Sequence, residues 1–349
     1  MGITVNANYV NISWLKVTVA GGAGYCIRAN NVGYANISNV WTYANDFGIY
    51  FYNSSNNILI NNTATGNIYG ILFNSSSNNT LIGNKANSNT FVGIYLTSSS
   101  NNTLTNNTAN NNQNGINLTS SSSNNTLTDN NASYNQRAGI YILTSSINNT
   151  ITGGTVRNNS YNPSDGKDAG ITILASSDNN TIADVSIFNN SQNGIYLEAN
   201  FTNITSNTIQ NNTWSGINLT SASNNNTIYN NYFNNTNNIG FNDATNNTWN
   251  TTQTPGTNIV GGPYLGGNFW AKPDGTGFSQ TQTDADQDGI CDSSYSFGSG
   301  NVDYLPLAIW PANPPPVPVP ALTPIGLIAL ISVLSVITAL TISTKRKRR

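Results

Sequence analysis

The sequence predicts an all-β chain: a right-handed parallel β-helix solenoid of about ten coils, followed by a C-terminal capping module and one transmembrane helix. Three observations carry this reading. A Gly-Ile motif recurs at Gly48, Gly70, Gly93, Gly115, Gly139, Gly170, Gly194 and Gly216, with a worn copy at Gly240 and a looser one at Gly24, mostly 22 to 24 residues apart. Within each copy apolar residues alternate, as in Ile94 and Leu96 or Ile217 and Leu219, and another follows an NNT triplet, as in Leu104 and Ile228. Asn makes up about a fifth of the chain, while only 7% of residues are charged and 10% are aromatic; disordered chains are normally charge-rich and aromatic-poor, so the Asn belongs to something folded.

Period-two alternation over three to five residues means short strands, and the punctuation leaves no room for helices. One unit of about three such strands cannot close a core, but units stack at roughly 4.8 Å per layer, giving a rod of about 45 Å. Asn repeated at one position of successive coils pairs with its copies above and below, and Asn tolerates the left-handed backbone of tight corners. Between Gly139 and Gly170 the spacing grows to 31, with the extra residues in RNNSYNPSDGKDAG; an extruded loop is where solenoids tend to carry binding or catalytic features.

Residues 1–249 form the repeats. The chain opens on MGITVNANYVNISWLKVTV, strand and turn with no basic-then-apolar leader, so missing upstream sequence is expected. Residues 250–310 shift to Gly, Pro and aromatics and read as a cap that covers the open end. Residues 311–320, PANPPPVPVP, form a stiff spacer. Residues 321–342 carry no charge and are long enough as a helix to cross a bilayer, and 343–349 end in KRKRR, which places the tail in the cytoplasm and the solenoid outside the cell as a single-pass surface protein.

Absences bound the chemistry. The chain has no His, one Met and two Cys, which removes Ser-His-Asp and Cys-His nucleophiles and His-ligated metal sites. Its net charge is −2, and the basic residues outside the terminal KRKRR cluster are few and scattered, so no nucleic-acid partner is expected. Cys26 and Cys291 lie near opposite ends of the rod, too far apart for a disulfide.

The GI-x-L…S-x-x-N-x-T repeat, followed by NIVGGPYLGGNFWA and DADQDGICDSSYSFGSGNVDYLPL, resembles the NosD-like family of parallel β-helix proteins, also described as carbohydrate-binding and sugar-hydrolase β-helix domains. The Asn-rich style and the ending VPALTPIGLIAL…KRKRR resemble surface proteins of methanogenic archaea and the tripartite signals of archaeal sortase-like enzymes. The resemblance covers roughly Gly2 to Leu307 and implies the fold more strongly than any activity. The copper role in the family name is not expected here, because the soft and imidazole ligands are missing.

Candidate sites follow. In DADQDGICD, Asp284, Asp286, Asp288 and Asp292 with the Ile290 carbonyl suit a hard cation, so Ca2+ is an expected ligand; a solvated acidic turn is the plainer alternative. Asp129 and Asp184 share a column two coils apart, roughly 9.6 Å, a spacing compatible with an inverting glycosidase or simply with an Asn-type ladder. Asp165 and Asp168 in the extruded loop are a second weak catalytic pair. Tyr50, Tyr95, Tyr141 and Tyr196 occupy the outward position after Gly-Ile on alternate coils and form a candidate carbohydrate-binding row. Roughly twenty N-x-S/T sequons make an exported chain a glycosylation candidate. The expected function is a membrane-anchored envelope protein with a structural, adhesive or carbohydrate-binding role, its partners being envelope glycans or surface proteins. The alternative is a polysaccharide hydrolase, lyase or epimerase.

Overall fold

The computed structural model describes residues 2–18, 24–164, 166–241, 244–298 and 300–310. Met1–Ala312 form one compact unit, and the second unit, Asn313–Arg349, lies wholly outside the described residues. The expected membrane span at 321–342, most of its spacer and the basic tail fall there. Among the described residues no helix is long and apolar enough to cross a membrane.

The unit is an all-β parallel solenoid. Its first sheet has eleven strands, from Ile3–Val5 to Ile239–Phe241, and its second has ten, from Asn11–Ser13 to Thr227–Tyr229. The third face begins with three strands, Lys16–Val17, Trp41–Tyr43 and Thr63–Thr65, and ends with five, from Thr155–Arg157 to Phe269–Ala271. Single bridges through Lys85, Thr108 and Asn131 connect the two groups. Alternation decides which residues enter the core. In the first sheet Ile27, Ile49, Ile71, Ile94, Ile116, Ile140, Ile171, Ile195 and Ile217 stack in register, all buried. In the second sheet Leu59, Leu81, Leu104 and Leu127 do the same. Because each layer repeats the same inward side chains, the core is one continuous column that no single coil could close.

The two asparagines of NNT divide their labour. The first, at Asn56, Asn78, Asn101, Asn124, Asn148, Asn179, Asn225 and Asn246, turns the corner with φ between 56° and 62° and is exposed. The second is buried and forms the ladder: the backbone N–H groups of Asn57, Asn79, Asn102 and Asn125 donate to the Oδ1 of Asn79, Asn102, Asn125 and Asn149 one coil on, at 2.8–2.9 Å. Similar ladders line the other two corners, through Asn62, Asn84, Asn107 and Asn130, and through Asn67, Asn89, Asn112, Asn135, Asn159, Asn190, Asn212 and Asn235. A serine ladder, Ser54 to Ser76, Ser99, Ser122 and Ser146, runs beside the first.

The cap continues the solenoid rather than sitting on it. Phe269–Ala271 pairs in parallel with Tyr232–Asn234 as one more layer of the third face. Asn207, Asn231 and Asn268 form another ladder, and Asp303 takes its next rung, accepting from the Asn268 N–H at 2.8 Å. Asp303 also accepts from Trp270 Nε1 at 2.8 Å and from the Leu305 N–H at 3.1 Å. A Cβ at Gly267 would fall on the Asp303 carboxylate, which explains a glycine there. Trp249 is fully buried against Trp270 and Phe297 and donates to Asn301 Oδ1 at 3.0 Å, closing the apolar end of the rod.

Candidate functional sites

The outer face of the first sheet changes character along the rod. The outward column reads Arg28, Tyr50, Leu72, Tyr95, Asn117, Tyr141, Thr172, Tyr196 and Asn218 in register. On its early coils the residue before Gly-Ile is also aromatic, and the rings join: Tyr25 stacks on Phe47 at 4.8 Å and on Tyr50 at 5.0 Å, Phe47 on Tyr69 at 5.3 Å, and Tyr69 on Tyr95 at 5.7 Å. Phe91 meets Tyr69 edge-on, and the Arg28 guanidinium lies over Tyr25. Burial pushes the phenols of Tyr50, Tyr69 and Tyr95 above their ordinary range. Tyr50 and Tyr95 thus belong to a continuous aromatic band whose rings mostly stack on one another. The position after Gly-Ile shows only half of this band in the sequence; FGIYFY at Phe47 carries both columns.

Tyr141 is half-buried, two coils beyond Tyr95. Tyr196 is 7% exposed, so the four tyrosines are not equivalent platforms. The extruded loop accounts for this: Lys167 Nζ pairs with Glu198 Oε1 at 2.8 Å, Glu198 accepts from the Tyr196 hydroxyl at 2.8 Å, and Thr172 Oγ1 donates to the Lys167 carbonyl at 2.8 Å. Asp168 is buried and accepts from the Ser164 N–H at 2.7 Å and its hydroxyl at 3.2 Å. Asp165 lies outside the described residues. Glu198, a single acid in an otherwise uncharged coil, was not singled out from the sequence.

Asp129 and Asp184 do share a column, at the left-handed corner positions with φ 54° and 56°, and both are exposed. Gly153 lies between them, and a Cβ there would meet the Asp129 carboxylate. They follow strands of the second sheet, whereas Asp168 precedes a strand of the first, so the described candidate acids occupy separate corners.

In the cap, carboxylate oxygens of Asp284, Asp286 and Asp288 lie within 4.8 Å of one another. Burial, and then the neighbouring Asp288 charge, raise Asp284 against the pull of N–H donors from Gly289 and Asp288. Asp288 also accepts from Gln253 at 2.8 Å. Asp292 is turned to Thr283 Oγ1 at 2.8 Å and the Ala285 N–H at 3.2 Å, and the Ile290 N–H donates to Asp288 Oδ1 at 2.8 Å. Three converging carboxylates are a donor set that a hard cation fits.

Copper is different. Cys26 and Cys291 are free and buried, and burial pushes the Cys291 thiol up to about 12 and raises Cys26. A neutral, enclosed thiol is a poor ligand. No soft or imidazole donor set accompanies either one, since the chain has no His and one Met.

Residues 1–156 match the family described as "Right handed beta helix region", and residues 152–275 match "Periplasmic copper-binding protein (NosD)". Together the matches support a right-handed β-helix repeat family. A search of curated proteins finds no match. Among solved structures, the A-module of the mannuronan C-5 epimerase AlgE6 of Azotobacter vinelandii is 16% identical with a TM-score of 0.53, covering 71% of this chain and 89% of that one. The A-module of AlgE4 from the same organism is 13% identical with a TM-score of 0.51, covering 71% and 79%. A variant of the periplasmic alginate epimerase AlgG is 13% identical with a TM-score of 0.50, covering 64% and 61%. At these identities the likeness concerns the fold.

Proposed function

We propose that this right-handed β-helix repeat protein binds polysaccharide at the cell surface without transforming it, held to the membrane by residues 321–342. The observation that carries the reading is the aromatic band Tyr25, Phe47, Tyr50, Tyr69, Phe91 and Tyr95 on the outer face of the first sheet. An outward sheet face needs only strand formers, yet here it is paved with rings on a rigid backbone. Such a surface offers apolar contact and phenolic hydroxyls at little entropic cost, a combination suited to sugar chains. The likeness in fold to enzymes of mannuronan and alginate agrees with a carbohydrate ligand. Calcium at Asp284, Asp286 and Asp288 belongs to the same reading as a brace for the cap, and copper does not.

The test is a pull-down of the whole protein with insoluble envelope polysaccharide, comparing the parent with Tyr50→Ser/Tyr95→Ser and with a control, Tyr134→Ser, away from the band. Loss of retention in the double variant alone, with a near-parental thermal midpoint, is expected. Equal retention in all three sinks the reading.

The alternative, a polysaccharide hydrolase, lyase or epimerase, draws on one observation: the loop brings Lys167, Tyr196 and Glu198 together on the first sheet. Those contacts also serve to pin the loop, and Glu198→Gln separates the two roles. Turnover of a polysaccharide by the parent but not the variant would favour the enzyme.

A further inference from the structure

Where the last strand of the first sheet meets the hairpin of Tyr295–Gly298 and Asn301–Asp303, a cleft of about 190 Å3 opens between solenoid and cap. Thr236, Asn237, Ile239, Lys272, Tyr295 and Phe297 line it. Two of its walls are apolar: Tyr295 packs face to face on Phe278 at 4.5 Å and edge-on to Phe297 at 4.9 Å, which fixes both rings. The remaining wall is polar and has capacity to spare. Asn238 is spent on structure, donating to the Ala271 carbonyl and accepting from Asn235. By contrast, the Thr236 hydroxyl, the Asn237 Oδ1, the Tyr295 hydroxyl and the Lys272 ammonium have no hydrogen-bond partner among the described residues, and Lys272 has no ion pair there. The acid that acts on Lys272 through space, Asp274, is held by Thr276 through its hydroxyl at 2.8 Å and its N–H at 3.0 Å.

Lys272 is a half-buried residue at the rim of the cleft, and its ammonium has no carboxylate bound to it among the described residues, so the site has room for one negative charge. Lys272, one of only twelve basic residues in the chain, lines this cleft. The ligand must therefore bring a carboxylate for Lys272, an apolar face for Tyr295 and Phe297, and hydroxyls for Thr236 and Asn237. The volume is below the roughly 300–1,000 Å3 of sites for drug-sized ligands, so one ring enters rather than a chain. We propose that the cleft between solenoid and cap binds a single acidic sugar residue, a hexuronate, with Lys272 holding its carboxylate. This extends the polysaccharide-binding reading to a second site that does not use the aromatic band.

The experiment is titration calorimetry of the whole protein with D-glucuronate, against D-glucose as a neutral ligand of the same ring size, for the parent, Lys272→Met and Tyr50→Ser/Tyr95→Ser. Methionine keeps the length of the side chain and removes the charge, and the Lys272 ammonium supports no fold contact, so the thermal midpoint stays put. Expected is binding of glucuronate but not glucose by the parent and the tyrosine variant, weakened at least about tenfold in Lys272→Met, the scale of one charge-assisted hydrogen bond. No heat from glucuronate at about 10 mM, or equal affinity for the parent and Lys272→Met, overturns the proposal. Retained glucuronate binding with polysaccharide pull-down unaffected by the tyrosine changes refutes the band and leaves the cleft standing; the reverse pattern refutes the cleft alone.

Discussion

Replacing Asn107 by Ala tests whether the ladder holds the corners together. Asn107 is 1% exposed, and its side chain joins three coils. Its Oδ1 accepts from the Asn84 N–H at 2.9 Å and from Asn84 Nδ2 at 3.0 Å; its Nδ2 donates to the Leu81 carbonyl at 2.9 Å and to Asn130 Oδ1 at 3.1 Å. Some partners keep other bonds: Asn84 Nδ2 still reaches the Leu59 carbonyl, and Asn130 Oδ1 still accepts the Asn107 N–H. The Asn84 N–H does not, and a buried unpaired donor costs about 1–3 kcal/mol, to which the void adds about 1 kcal/mol. A loss of about 2–4 kcal/mol follows. Asn106, one residue earlier, is exposed with φ 54°, so Asn106→Gly should change stability by less than about 0.5 kcal/mol. Long repeat arrays do not unfold as a single step, so urea melts need a local readout, such as hydrogen exchange at the Asn84 amide. Equal effects of Asn107→Ala and Asn106→Gly, or an unchanged exchange rate at Asn84, would refute the division of labour within NNT.

Asp303 makes stability depend on pH. Burial raises it from 3.8 to about 7 despite its hydrogen-bond donors. The folded form then holds the proton more tightly than the unfolded form, so this contribution is fullest below about pH 4 and declines as pH rises to about 7. At about 1.4 kcal/mol per unit the decline amounts to about 4 kcal/mol. Asp303→Asn should flatten the thermal midpoint between pH 4 and 7; an unchanged slope contradicts the assignment. At the acidic turn, about 1 mM Ca2+ should raise the melting midpoint of the parent and leave Asp286→Asn nearly unmoved, since the turn has the few carboxylate ligands of a weak extracellular-type site. An equal rise in both would assign the effect to general salt screening.

How far the sequence could be read depended on whether a feature repeats. Ile94, Leu96 and Leu104 announce inward positions because the same alternation returns every coil. The corner asparagines follow from the same register, and only the serine ladder within SSS escaped, because a hydroxyl rung looks like loop composition. The cap does not repeat, so nothing in the sequence marked Asp303 as the rung after Asn268, or brought Lys272 beside Tyr295. The extruded loop was visible as a broken period, but not where it would lie. That it would cover Tyr196 through Lys167 and Glu198 depended on a contact between residues 31 positions apart in chain order.

Repetition also explains where function must be sought on this molecule. A ladder asparagine such as Asn107 is consumed by its neighbours, donating to one coil and accepting from another, and although Asn149 Nδ2 is left without a partner, it is buried; the most abundant residue of the chain has little chemistry left to offer at the corners. What remains available are the exceptions to the repeat. These are the joined aromatic rings on the early coils of the first sheet, one loop with its ion pair, one turn with three converging carboxylates, and one lysine at a cleft. Three of the four lie where the ladder is interrupted or ends. A solenoid whose rungs bond from coil to coil is stiff, and that stiffness fixes the spacing of anything mounted on it. The same property makes the rungs costly to change and the exceptions cheap, so a ligand-binding surface is free to differ from coil to coil while the corners are not.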